Sequence, residues 1–325
     1  MGLNLDSSLS FSNHIDEKIT KASKIIGVLK RLSNFMPLKA LDQMYKSIVR
    51  PHLDYCDFIY HIPHVYENYG VTLNAKMESV EKVQYNAALA ITGTWKGSSR
   101  VKLYEELGWE SLSDRRFSRR ILQLHKIINN ETPKYLREIL PQNRHQFLLN
   151  IFRNIRCRTN RYKNSFFPDA IKSWNHIISN FNDLPSREML RKHLLSFFRP
   201  TRKSIFGLHD PIGLRYLFQL RVGLSPLLSH KKKYNFLDTP TELCSCNLEA
   251  ETTDHFFEFC ILYRNQRNNL ESKTKIILQR KDITHVLNPT NLYLYGHPEL
   301  SYNENREILT LSIEYIKLTK RFIDL

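Results

Sequence analysis

The stretch CSCNLEAETTDHFFEFC, from Cys244 to Cys260, holds three of the chain's five cysteines and one histidine. Three thiolates and an imidazole are the ligands of a closed tetrahedral structural zinc site, which leaves no open position for chemistry. Four residues separate His255 from Cys260, about one helical turn, so both side chains can reach one ion. One residue between Cys244 and Cys246 is tighter than the usual spacing of about two to four. Spacing alone therefore predicts either a zinc site or reduced thiols beside an aromatic patch.

Length and composition indicate a globular protein with room for two or three domains. The chain has 325 residues, 42% of them hydrophobic and 25% charged. Five cysteines, with Cys56 and Cys157 isolated, do not suggest a secreted disulfide framework. Asp6 stands where a signal peptide would be apolar, and no apolar run is long enough to span a membrane. We therefore expect a nuclear or cytoplasmic protein that is not secreted and has no membrane partner.

The spacing of apolar residues predicts a mostly α-helical fold. In the first helix, apolar residues recur every three or four positions and form one buried stripe, Ile15, Ile19, Ala22, Ile26 and Leu29. Similar stripes predict helices starting near Pro37, Ala75, Ser113, Pro168 and Ser186, and Trp174 is expected in the core. Residues 1–11 instead alternate apolar and polar positions, which predicts a strand end and a turn.

Positive charge is concentrated in the middle of the chain. The formal charge is +16, and residues 111–163 carry 13 Lys or Arg against three acids. Four arginines begin the helix near Ser113, where the helix dipole favours negative charge, so a bound anion is expected there. Such a density of positive charge predicts that the chain binds nucleic acid. The alternative is a solvated basic face without a ligand. The predicted contacts are Arg115, Arg116, Arg119, Arg120, Arg153, Arg156, Arg158, Arg161, Lys231, Lys232 and Lys233.

Aromatic residues are interleaved with the arginines that follow residue 147. Such interleaving suits phosphate contacts combined with stacking on unpaired bases. The alternative is an aromatic core whose arginines are solvated. The aromatic residues concerned are Phe152, Tyr162, Phe166 and Phe167.

Several segments, in the same order, resemble the C-terminal part of a non-LTR (LINE-type, jockey-like) retrotransposon reverse transcriptase. Residues 2–6 look like the end of the last palm strand, and 41–60, 84–96 and 102–116 are similar to the thumb. Asn164-Ser-Phe-Phe-Pro168 with Trp174-Asn175 is similar to the connecting region. GLRYLFQLRVGLSP (213–226), running into the Cys/His stretch, looks like the terminal zinc-knuckle module.

The resemblance implies a helical thumb-like domain over residues 1–145, with 1–11 a palm remnant, then a basic connector over 146–235. A zinc-knuckle-like CCHC module and terminal helices follow over 236–325. It implies structural zinc on Cys244, Cys246, His255 and Cys260. Relatives often have glycine where this chain has Asn247, but asparagine tolerates the left-handed conformation.

The resemblance also implies that the catalytic part of the polymerase is missing from this chain. Polymerases of this family hold two Mg²⁺ ions on palm carboxylates, including adjacent aspartates. The sequence contains no Asp-Asp pair, and Asp54 and Asp57 are expected to cap helices or pair with arginines. We therefore expect a fragment that is not an enzyme, whose partners are RNA or DNA and the missing palm and fingers. The alternatives are a zinc-stapled protein-interaction scaffold and a transposon relic without function.

Overall fold

The computed structural model describes residues 2–60, 71–141, 151–181, 183–198, 205 and 207–322. The mostly helical fold predicted from the sequence is confirmed, with 16 α-helices and no strand in these ranges. In chain order the helices are α1 (Ser12–Leu32), α2 (Leu38–Met44), α3 (Arg50–Asp54), α4 (Asp57–Tyr60), α5 (Val71–Thr92), α6 (Arg100–Leu107), α7 (Leu112–Ile128), α8 (Lys134–Glu138), α9 (Asn160–Lys163), α10 (Phe166–Ile178), α11 (Arg187–Phe198), α12 (Pro211–Val222), α13 (Leu228–Lys233), α14 (Arg264–Gln279), α15 (Pro289–Tyr295) and α16 (Tyr302–Leu318).

Three short helices of other types complete the backbone. A π-helix, Tyr45–Val49, joins α2 to α3, and Pro51 lies in the first turn of α3, where its missing N–H is tolerated. A second π-helix spans His255–Phe259, and the 3₁₀-helix Ile261–Tyr263 follows it.

The N-terminal segment differs from the predicted strand end. Residues 2–11 contain no strand. The Asp6 carboxylate accepts hydrogen bonds from the backbone N–H groups of Ser10 and Phe11, both at 2.8 Å. These bonds, with those from the hydroxyls of Ser8 and Ser10, hold the segment as a turn and lower the pKa of Asp6. The local side-chain bonds therefore outweigh the apolar alternation.

Contacts between Cα atoms divide the chain into two compact units. Unit 1 comprises Met1–Ile25, Ile48–Gln84 and Trp109–Pro200, and unit 2 comprises Ile26–Ser47, Tyr85–Gly108 and Thr201–Leu325. Each unit is assembled from three separated segments of the chain. Within the described ranges, no helix combines the length and apolar character that a bilayer-spanning segment requires.

The core of unit 1 forms where α7 packs against α10 and α11. Trp174 of α10 is fully buried there, as predicted, among Ile121 and Leu124 of α7 and Leu190 of α11. Helix α7 begins after Ser111, whose hydroxyl accepts a hydrogen bond from the backbone N–H of Asp114 at 3.1 Å. Its apolar stripe faces this core.

The core of unit 2 forms around α16, which packs against α12, α14 and α15. Phe256 and Phe257 are fully buried, with ring centroids 5.3 and 5.4 Å from that of Tyr315 of α16. These two aromatic residues directly follow His255 in the chain. The core therefore fixes the backbone that carries the histidine of the Cys/His stretch.

Candidate metal centre and nucleic-acid interface

The ligand atoms of Cys244, Cys246, His255 and Cys260 all lie within 4.8 Å of one another. The two Sγ atoms of Cys244 and Cys260 are 3.7 Å apart, and Cys246 Sγ is 3.3 Å from His255 Nε2. Three of the four residues are buried, and Cys246 is partly exposed. The structure thus brings together all four predicted ligands, and they can hold one metal ion.

A tight loop places the first two cysteines of this metal centre. An antiparallel bridge pairs Leu243 with Ala250, and the N–H of Cys244 donates to the carbonyl of Glu249 at 2.8 Å. Between them, the N–H of Asn247 donates to the Cys244 carbonyl at 2.8 Å, and Asn247 has φ +60°. Asparagine adopts this left-handed conformation more readily than most residues, so the turn forms without a glycine at this position.

The second pair of ligands is placed by the π-helical turn at His255–Phe259. The N–H of Cys260 donates to the His255 carbonyl at 2.7 Å, which closes the turn and brings both side chains to the same side. The Tyr315 hydroxyl donates to the carbonyl of Phe256 and fixes this turn to the core of unit 2. The predicted convergence of His255 and Cys260 over about one turn is confirmed.

The environments of the three thiols differ. Burial raises the pKa of Cys244 to about 12 and also raises the pKa of Cys260. Burial acts in the same direction on Cys246, but hydrogen bonds, beginning with that from the backbone N–H of Leu248, lower its pKa to about 7. Backbone N–H groups approach all three sulfurs, those of Cys246, Leu248 and Leu262 among them. Such donors stabilise the thiolates that metal binding requires.

Glu249 is a partner of the histidine that the sequence did not single out. Its Oε2 lies 3.4 Å from His255 Nδ1, on the side of the ring opposite Nε2. A carboxylate in this position holds the proton on Nδ1 and turns Nε2 toward the metal, as second-sphere carboxylates of histidine ligands do. In the sequence, its position inside the loop, three residues after Cys246, is the one signal that could have identified it as a neighbour of the metal ligands.

The four arginines at the start of α7 have partners within unit 1, and two are buried. Arg115 binds Asp54, with Nε 2.9 Å from Oδ2, and Arg119 binds Asp57, with Nη1 2.8 Å from Oδ2. The pairing predicted for Asp54 and Asp57 is thereby confirmed. Arg116 is 1% exposed, donates to the Leu53 carbonyl at 3.1 Å and has Nε 3.9 Å from Asp57.

Arg120 is also 1% exposed. It binds the Asp169 carboxylate and donates to the carbonyls of Phe58 and Asn164, both at 3.2 Å. All three partners lie 44 to 62 positions away along the chain, so an argument from the dipole of α7 could not include them. Arg116 and Arg120 do not face solvent, and the phosphate contacts predicted for these two side chains are corrected to structural roles.

The arginines after residue 150 lie in a different setting, which we call the basic arm, residues 151–163. It contains five cations and no acid. Arg153, Arg156, Arg158 and Arg161 are exposed. Arg161 donates to the carbonyl of Ser8. Among the described residues, no carboxylate forms an ion pair with any of these four.

Asn175 fixes the basic arm to α10. Its side-chain oxygen accepts from the N–H of Phe152 at 3.0 Å, and its side-chain nitrogen donates to the Phe152 carbonyl at 2.7 Å. Ile151, Phe152 and Ile155 are partly buried against the core around Trp174. The apolar residues of the arm therefore face the core, and its arginines face solvent.

The three lysines of α13 lie in unit 2. Lys231 binds Asp238, with Nζ 3.1 Å from Oδ2, and Lys232 donates to the carbonyl of Pro240 at 3.0 Å. Lys232 and Lys233 are exposed. The helix is attached to the loop of the metal centre, because the Ser229 hydroxyl donates to the Glu251 carbonyl at 2.7 Å.

No protein-family model matches the chain, and no curated protein or solved structure is detectably similar to it. The resemblance to a retrotransposon reverse transcriptase therefore stays a prediction.

Proposed function

We propose that the metal is zinc. With Zn–S of about 2.3 Å and Zn–N of about 2.0–2.1 Å, a tetrahedral site has S···S edges of about 3.8 Å and S···N edges of about 3.5 Å. The separations of 3.7 Å between Cys244 and Cys260 and 3.3 Å between Cys246 and His255 lie close to these edges. Three soft thiolates and an imidazole also favour zinc over Mg²⁺ or Ca²⁺, which prefer oxygen ligands.

We propose that this zinc is structural. Four protein ligands complete a tetrahedral coordination sphere and leave no position for a substrate. The ion would join the loop of residues 244–250 to the turn of residues 255–260. Because the unfolded chain holds no preformed set of ligands, metal binding and the folding of this part of unit 2 are coupled.

We propose that the chain binds nucleic acid through the phosphate backbone. The observation that carries this proposal is the basic arm, in which four exposed arginines have no acidic partner among the described residues and lie on a segment packed against the core of unit 1. Unpaired, pre-positioned guanidinium groups attract phosphate, and such contacts give affinity with little sequence preference.

The resemblance to the thumb, connector and zinc-knuckle region of a non-LTR reverse transcriptase supports the same proposal. In that setting the ligand is RNA, target DNA or a template–primer duplex. The sequence has no adjacent aspartates to hold two Mg²⁺ ions, so we propose a binding role without polymerase activity. Mg²⁺ and the palm and fingers belong to the proposed longer polymerase.

The test is a titration of the full chain against a labelled 20-nucleotide single strand and a 20-base-pair duplex. One variant replaces the arm arginines with glutamine. A control variant removes four positive charges from exposed positions in unit 2. The variants are Arg153→Gln/Arg156→Gln/Arg158→Gln/Arg161→Gln and Lys273→Gln/Lys275→Gln/Arg280→Gln/Lys281→Gln.

We expect the arm variant to lose at least 10-fold in affinity and the control variant to lose much less. Equal losses would show that only net charge matters and would contradict a site on the arm. Absence of binding by the unmodified chain would contradict the proposed function altogether.

One observation favours a second candidate function, a zinc-stapled protein-interaction module. Five large apolar residues within two positions of a metal ligand are 42–62% exposed, namely Leu243, Leu248, Phe259, Ile261 and Leu262. Exposed apolar residues grouped in this way mark interaction sites. This function predicts stoichiometric zinc uptake with no affinity for either nucleic acid, so the same titration separates the two candidates.

A further inference from the structure

One aromatic residue of the basic arm has no place in the core. Phe152, Phe166 and Phe167 are partly buried against the core of unit 1, and the rings of Phe166 and Phe167 meet edge to face at 5.2 Å. Tyr162 is 48% exposed. Among the described residues, no hydrogen bond or ring contact involves its side chain. Packing therefore accounts for the phenylalanines but leaves the tyrosine without a structural role.

The backbone of Tyr162 is nevertheless held on both sides. Its N–H donates to the Thr159 hydroxyl at 3.2 Å. Its carbonyl accepts from the backbone N–H of Ser165 at 3.1 Å and from the Ser165 hydroxyl at 2.7 Å. An exposed ring on a fixed backbone loses little conformational freedom on binding, because only two side-chain torsions remain to be ordered.

The charges beside Tyr162 indicate what its ring meets. Arg161 precedes it directly, and Arg158 lies four residues earlier, both exposed and without an acidic partner among the described residues. Cations that bind phosphates next to an open aromatic face are the combination that holds single-stranded nucleic acid, in which base faces are free to stack. A duplex presents phosphates and base edges but hides the base faces in its own stack.

We propose that the basic arm takes single-stranded nucleic acid and that Tyr162 stacks on an unpaired base. This proposal rests on the proposed function, since it names the form of nucleic acid that the arm binds. It goes further in assigning a contact to a residue that carries no charge. The arginines of the arm serve any polyanion, whereas Tyr162 distinguishes an unpaired strand from a duplex.

The experiment compares Tyr162→Ala, Tyr162→Phe and Tyr302→Ala in the full chain. The probes are a fluorescein-labelled dT20 strand and a 20-base-pair duplex at the same low salt concentration. Tyr302 is the matched control, because it is 49% exposed and belongs to unit 2. Far-ultraviolet circular dichroism checks that each variant keeps its helical content.

We expect Tyr162→Ala to weaken binding of the single strand by about 5- to 150-fold, the range given by stacking of ~1–3 kcal/mol per base. Its affinity for the duplex should change less than about 2-fold, and Tyr162→Phe should bind as the unmodified chain does. If Tyr162→Ala leaves the single-strand affinity unchanged while the arginine variant loses it, the stacking proposal fails and the proposed function stands. If the unmodified chain binds neither probe, both fail.

Discussion

Arg120 and Arg156 have the same chemistry but opposite predicted roles. Arg120 is 1% exposed and holds Asp169, which is 4% exposed, whereas Arg156 is exposed on the basic arm. Arg120→Met would leave a buried carboxylate without its charge partner and remove two bonds to backbone carbonyls. Removing one partner of a buried ion pair costs about 3–5 kcal/mol. Among the described residues, no hydrogen bond or ion pair involves the Arg156 side chain, so Arg156→Met should change the free energy of unfolding by less than about 0.5 kcal/mol.

Urea denaturation followed by tryptophan fluorescence measures both changes, because Trp109 and Trp174 are buried in unit 1. The double variant Arg120→Met/Asp169→Leu removes both charges of this buried pair, so it should be more stable than Arg120→Met alone. The affinity for nucleic acid should show the reverse order. Arg156→Met should bind more weakly than the unmodified chain, and Arg120→Met, where it is folded, should bind about as tightly. A cost below about 1 kcal/mol for Arg120→Met, or a double variant less stable than the single one, would refute the structural role of Arg120.

Four further predictions concern the metal centre and the arm. Cys260→Ser should abolish the uptake of one zinc per chain in native mass spectrometry, while Cys157→Ser, at an isolated thiol, should leave it intact. Glu249→Gln should weaken zinc affinity about 10-fold in a chelator competition, and the exposed Glu242→Gln should not, because only Glu249 contacts the histidine ligand. Zinc binding at pH 7 should release about two to three protons. Two thiols have raised pKa values and the third has one of about 7, so affinity should fall as the pH is lowered, and a pH-independent affinity would contradict thiolate ligation. Asn175→Ala should weaken nucleic-acid binding several-fold by freeing the arm while leaving the salt dependence of binding unchanged, because no charge is removed.

Local sequence patterns predicted the parts of this protein that depend on neighbours along the chain. Periodic apolar residues gave the helices, and Trp174 was placed in the core because it lies on such a stripe. The Cys/His spacing left a metal site and reduced thiols as alternatives, and the resemblance favoured the metal ligands. All four residues lie within 17 positions, where loop and turn geometry decides their convergence. The left-handed turn at Asn247 was expected from the resemblance, and asparagine is a residue type that tolerates this conformation.

The sequence could not predict features that depend on distant partners. Arg120 reads as a surface cation on α7, yet Asp169 neutralises it from 49 positions away. The side chain of Asn175 bonds to Phe152 across 23 positions, a contact that no helical or strand period reports. In residues 2–11, the alternation of apolar and polar residues predicted a strand end, but hydrogen bonds to the Asp6 carboxylate hold the segment as a turn. The structural arginines differ from the exposed ones in their burial and in their partners, and neither can be read from the residue type.

The most direct test of the account is the salt dependence of nucleic-acid binding. If four arm arginines contact phosphates, the slope of log K against log salt concentration should be about −2.8 for a single strand and about −3.6 for a duplex. Raising the salt from about 50 to 200 mM should then weaken binding by about 50-fold and 150-fold respectively. The variant lacking the four arginines should lose most of this slope. A slope that is the same in the variant and the unmodified chain, or close to zero in both, would contradict the claim that the basic arm binds a phosphate backbone.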